Sequence, residues 1–135
     1  MILRLLAAAG ALLLAGCAST IPAQCAPCFG GMNVGIRGVD APLQRLTLCL
    51  DGQCRTALLD EKSPPPRGTG PVMRQFGLAN LPPGFDWTRS NGARLVVRYT
   101  DPVTGQPVVA TGRIRSTPGE GTCGCPHADA LVTPS

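Results

Sequence analysis

The chain has 135 residues, with 12 Lys and Arg against 8 Asp and Glu for a formal net charge of +4. That length suits one domain, and nothing in it approaches the dense basic cluster of a nucleic-acid binder, so no nucleic-acid partner is expected. Aromatic residues make up only 4% of the chain while Gly numbers 17 and Pro 14, so the core has to come from Leu, Val, Ile and Ala. Glycines and prolines set between apolar runs suit a turn-rich all-β domain better than disorder.

Arg4 precedes an apolar run, Leu5 to Leu14, that is broken only by Gly10 and ends in the small residues Ala15 and Gly16. The run is shorter than the ~20 residues a membrane-spanning helix needs, and its layout is that of a cleaved export signal. Its end, Leu14-Ala15-Gly16-Cys17, resembles the lipobox of bacterial lipoproteins. The resemblance implies that residues 1–16 are removed as a signal peptide and that Cys17 becomes a lipidated N-terminus. The body is then held to a membrane of the bacterial cell envelope on its extracytoplasmic side. A plain secretory signal cut near Ala18 or Ala23 is the alternative. The cysteine directly behind Leu-Ala-Gly favours the lipobox. Acyl chains contribute about 0.8 kcal/mol per buried CH₂, so a multiply acylated Cys17 would anchor durably. The expected organisation is a signal at 1–16, a lipidated tether at 17–31 and a β-sandwich domain at 32–135.

Met32, Val34 and Ile36 alternate, predicting a first strand over 32–39 before the turn at Asp40-Ala41-Pro42. Leu46, Leu48 and Leu50 form the clearest strand face, with Thr47 and Cys49 opposite. Asp51-Gly52 is a two-residue hairpin turn signal, returning through Gln53 to Leu59. Lys62-Ser63-Pro64-Pro65-Pro66-Arg67 cannot join a sheet and is expected as an exposed loop. Such a loop serves either partner recognition or plain spacing, and spacing is the commoner use. Val72 to Leu78 is a further strand, and the lone Trp87 is expected in the core rather than in a ligand pocket.

Residues 93–100 and 108–115 alternate again, placing Arg94, Arg98, Arg113 and Arg115 on one face if the two strands pair. That face suits an anionic ligand or a headgroup surface; a solvated polar face is the ordinary expectation. Ala130 to Thr133 forms a short last strand. About seven or eight strands without a convincing helix predict an antiparallel two-sheet sandwich, immunoglobulin-like or prealbumin-like. Leu81-Pro82-Pro83-Gly84 and Thr104-Gly105-Gln106-Pro107-Val108 loosely resemble the small sandwich modules appended to bacterial surface proteins and carboxypeptidases. This resemblance covers the middle of the body and carries no functional residues over.

Setting Cys17 aside leaves Cys25, Cys28, Cys49, Cys54, Cys123 and Cys125. An even set in an exported domain predicts disulfides. In a hairpin closed at Asp51-Gly52, Leu50 faces Gln53 and Cys49 faces Cys54, at a separation a disulfide tolerates. The other four lie in two close pairs at opposite ends of the body, which predicts bridges tying the first residues to the last. Cys25 takes Cys125 and Cys28 takes Cys123 if the end strands run antiparallel, and the crossed choice stays open. The alternative is a zinc or copper site built from the terminal cysteines and His127, although Cys-x-Cys is not the usual structural-zinc spacing. No zinc, copper or other cofactor is carried by the favoured reading.

Catalysis finds little support. His127 is the single histidine, no Ser or Cys stands in a nucleophile-elbow setting, and the carboxylates are scattered apart from Asp60-Glu61. The expected protein is therefore a non-catalytic, lipid-anchored envelope module, an envelope protein or a glycan being its candidate ligand. A metal-binding lipoprotein is the alternative.

Overall fold

The computed structural model describes residues 25–28, 30–39, 41–59, 70–121 and 123–135. The signal, Cys17 and the triple-proline run lie outside these residues. The strands are β1 (Gly31–Ile36), β2 (Arg45–Leu50), β3 (Gln53–Leu58), β4 (Val72–Gly77), β5 (Arg94–Thr100), β6 (Pro107–Thr117) and β7 (His127–Pro134), with a 3₁₀ turn at Leu78–Asn80. All seven belong to a single sheet in the order β3-β2-β5-β6-β7-β1-β4.

This corrects the expected two-sheet sandwich. The sheet is mixed, since β1 runs parallel to β7 while the remaining neighbours are antiparallel. It curls into a half-barrel instead of splitting. The cause lies in β6, whose 11 residues pair with β5 along one edge and with β7 along the other. A sandwich needs a break in that ladder, and none occurs. At Gly112 β6 comes close to β7, and an added Cβ would collide with the Leu131 carbonyl of that strand. Glycine alone permits so close an approach.

The concave side holds the core. Met32, Val34 and Ile36 of β1, Leu46, Leu48 and Leu50 of β2, Leu95 and Val97 of β5, and Val132 of β7 are each no more than 3% exposed. Fully burying such a side chain contributes about 1.5–3 kcal/mol. Where a sandwich would place its second sheet, irregular segments close the concavity: Leu43 and Leu81 are buried in the core, and Val39, Phe85, Trp87 and Ala93 pack against it. Phe85 and Trp87 meet edge to face, with ring centroids 4.9 Å apart. Trp87 is therefore a core-side residue. The Arg55 guanidinium donates to the Ala79 carbonyl, joining edge strand β3 to the 3₁₀ turn that follows the other edge strand. The two sheet edges are drawn together in this way.

The loops are fixed locally. Asp51 and Gly52 have φ of 49° and 79°, the two left-handed residues of a type I′ turn. Gly38, at φ 71°, turns the chain just after β1 and ends that strand at Ile36, short of Val39. Asp86 Oδ1 accepts from the Thr88 amide (2.8 Å), the Thr88 hydroxyl and the Arg89 amide (3.1 Å). These bonds, the Thr88 hydroxyl foremost, hold the Asp86 carboxyl down at about 2 from an ordinary 3.8.

Two expectations follow. Gly112→Ala should cost about 3 kcal/mol in denaturant unfolding, because the added methyl must push β6 off β7; a neutral result would show that the sheet can uncurl freely. Because folding lowers the Asp86 pKa, its contribution is complete above pH ~4 and is lost as pH falls through about 2. An NMR titration should therefore give an Asp86 midpoint near 2, and Asp86→Asn should flatten the acid limb of the stability profile in that window.

Candidate functional site

Two regions collect the chemically distinctive side chains: the terminal cysteines and the convex face of the sheet. The structure joins Cys25 to Cys123, Cys28 to Cys125 and Cys49 to Cys54. Cys49 and Cys54 are cross-strand partners with Cα atoms 4.0 Å apart, on the convex face. At the ends, the antiparallel pairing of Cys25 with Cys125 and Cys28 with Cys123 is corrected to the other order. The reason is strand direction: Met32 lies beside Ala128 and Ile36 beside Val132, so β1 and β7 advance together. Extended backwards, two parallel strands keep their cysteines in sequence order. Cα separations are 5.3 and 5.4 Å, within ordinary disulfide reach.

This pairing removes the thiolates that a zinc or copper site would require. His127, the first residue of β7, is exposed and lies 3.4 Å through its Nδ1 from the Cys125 carbonyl. Among the described residues no three His, Cys, Asp or Glu side chains converge as metal ligands. The terminal cluster is thus a covalent clamp on the two ends of the chain.

The convex face is built by alternation. Each strand that turns its aliphatic residues inward turns the intervening ones outward. Arg94 and Arg113 are directly opposed across β5 and β6; Arg98 lies four residues along β5 and Arg115 two along β6, on the same face but in opposite directions from the pair. Arg45 on β2 shares this face; it follows the same parity as Thr47 and Cys49, a signal the arginine count at the sequence level passes over. All five are exposed. The Arg113 guanidinium donates to the Gly92 carbonyl at 2.9 Å, which fixes its direction. Asp129, in register with Arg115, is bonded instead to Asn33 Nδ2 at 3.1 Å. The one ion pair among the described residues is Arg89–Asp86, on a distant loop.

A third feature is a depression of about 620 Å³ at the sheet end, with Pro42, Leu43, Arg45, Thr47, Arg98 and Tyr99 in its wall. Burial, and after it the Asp101 charge, pushes the Tyr99 phenol up. It is therefore protonated at neutral pH, and the wall contains no carboxylate to act with it. No protein-family model matches the chain, and comparison with curated proteins and with solved structures returns no match.

The clamp has a measurable signature. In the chain-entropy model a bridge across nearly 100 residues contributes about 4.7 kcal/mol, but a second bridge beside it closes only a short residual loop. Replacing Cys28 and Cys125 by Ser should therefore cost about 2 kcal/mol in urea unfolding. Replacing Cys25 and Cys123 as well should raise the loss to about 7 kcal/mol. A double loss no larger than the sum of the two single-pair losses would contradict the shared loop.

Proposed function

We propose that the chain is an exported, lipid-anchored envelope protein whose β-domain serves a binding or structural role without catalysis. The observation that supports this most is the clamp of Cys25–Cys123 and Cys28–Cys125 around a small all-β body. Disulfides persist outside the cytoplasm, which agrees with the export signal and the lipobox-like Leu14-Ala15-Gly16-Cys17. Residues 18–24 then form a short tether between the acylated Cys17 and the first bridged cysteine.

The non-catalytic reading rests on what the polar groups are committed to. Asp86, the described carboxylate with a strongly lowered pKa, is saturated by the amides and hydroxyl of its own loop. Asp101 likewise accepts from the Val103 and Thr104 amides, at 2.8 and 3.1 Å. These are turn-forming contacts, which leave neither group poised for proton transfer.

The test is fractionation of the full chain expressed in a bacterium. The wild type should pellet with membranes, dissolve in detergent and show a lipid-modified N-terminal mass at Cys17. Cys17→Ser should release the body or leave the precursor uncut. A mature wild-type chain that begins elsewhere and carries no lipid would overturn the reading.

A further inference from the structure

We propose that the convex sheet face is a binding site for a linear anionic glycan, a proposal that rests on the binding-module reading above and assigns it a ligand class. The register across the sheet lays out the site in rows. Arg94 and Arg113 form one row with Leu131 of β7, Gly35 of β1 and Met73 of β4. The adjoining row toward β3 is Val96 beside the Cys49–Cys54 bridge. On one side of the Arg94–Arg113 pair lies a groove of about 430 Å³ over the disulfide and Val96, edged by Arg94 and Arg98, with Asp51 of the hairpin turn at its margin. On the other lies a groove of about 380 Å³ over Leu131 and Met73, edged by Arg113 and Arg115, with the Asn33-bonded Asp129 in its wall. The two meet at the opposed arginines, giving one shallow track across the strands. Six strand spacings of about 4.8 Å make its full length roughly 30 Å.

Charge is the first argument. Like charges directly opposite each other in a sheet destabilise it, yet Arg94 faces Arg113, and among the described residues no carboxylate forms an ion pair with either. By register the nearest acids are Asp51, one residue beyond the Leu50–Leu95 pair and so beside Arg94, and Asp129, opposite Arg115 and bonded to Asn33; neither forms an ion pair with Arg94 or Arg113. Guanidinium groups bind oxyanions through paired, charge-assisted hydrogen bonds, and Arg113 is already oriented by its bond to Gly92. The floor is the second argument. Leu131 and Met73 are 43% and 50% exposed, and they offer apolar contact to the C–H faces of sugar rings.

Shape and composition separate a glycan from a bilayer. A convex face touches a flat surface only along its crest, whereas a flexible chain can follow both grooves over it. Interfacial membrane contact also favours aromatic side chains. Here Phe76, Tyr99, Phe85 and Trp87 all belong to the concave, core side.

The experiment uses the disulfide-intact full-length body with Cys17→Ser, titrated with polygalacturonate, neutral dextran and vesicles of phosphatidylglycerol in phosphatidylcholine. Polygalacturonate should bind saturably, with affinity that falls as salt rises. Dextran should not bind, and vesicles should bind more weakly than the glycan. The double variant R94Q/R113Q should lose about tenfold or more in glycan affinity. The charge-matched control R37Q/R89Q, which leaves the track intact, should lose little. R94Q/R113Q should also melt at or above the parent temperature, because the like-charge pair is relieved, so lost binding cannot come from unfolding. Equal losses in both variants, equal binding of dextran, or vesicle binding without glycan binding would each overturn the proposal. If glycan binding fails while Cys17 is acylated in cells, the site assignment falls and the envelope reading stands. If Cys17 is not acylated, the envelope reading falls whatever the titration gives.

Discussion

The fold depends on a parallel contact between its first strand and its last. β1 sits inside the sheet between β7 and β4, so its burial is complete only when residues near 130 have taken their place beside it. Such a contact spans nearly the whole chain and carries the largest loop-closure cost of any pairing in the domain. The disulfides Cys25–Cys123 and Cys28–Cys125 sit just ahead of it on both strands, where they remove that cost once formed. Met32, Val34 and Ile36 are then held against Ala128, Ala130 and Val132 in one apolar layer.

Local order was legible in the sequence wherever alternation was strong. Leu46-Thr47-Leu48-Cys49-Leu50, the Asp51-Gly52 turn and the two arginine-bearing strands can be read residue by residue, because period two and turn chemistry are local properties. β7 shows where this fails. Ala128 and Ala130 are buried but small, so the strand looks like Ala130 to Thr133 in sequence and proves to be His127–Pro134. The layer arrangement was not legible at all. Whether strands form one curled sheet or two facing ones turned on the uninterrupted length of β6, which pairs on both its edges, and alternation within a strand does not say which strands it will join. The order of the terminal bridges was hidden for a related reason: it follows from strand direction, which alternating residues do not encode.

The same geometry ties the two candidate regions together. Curling buries one face against irregular segments and displays the other as an unbroken convex surface, so every outward side chain of five adjoining strands falls on one field. Arginines separated by many residues in sequence become neighbours there, and Cys49–Cys54 lies flush within it. In the proposed envelope setting, a pull on the tether from Cys17 reaches Cys25 first. It passes into β7 through covalent bonds, bypassing the hydrogen bonds of β1.

The ends of the chain run side by side in the same direction. Stepwise partial reduction with differential alkylation, read by mass spectrometry, tests it most directly because it assigns each terminal sulfur to its partner. Cys25 linked to Cys123 and Cys28 linked to Cys125 is the result the parallel arrangement predicts. Cys25 linked to Cys125 with Cys28 linked to Cys123, or a bridge closed between Cys25 and Cys28, would contradict it.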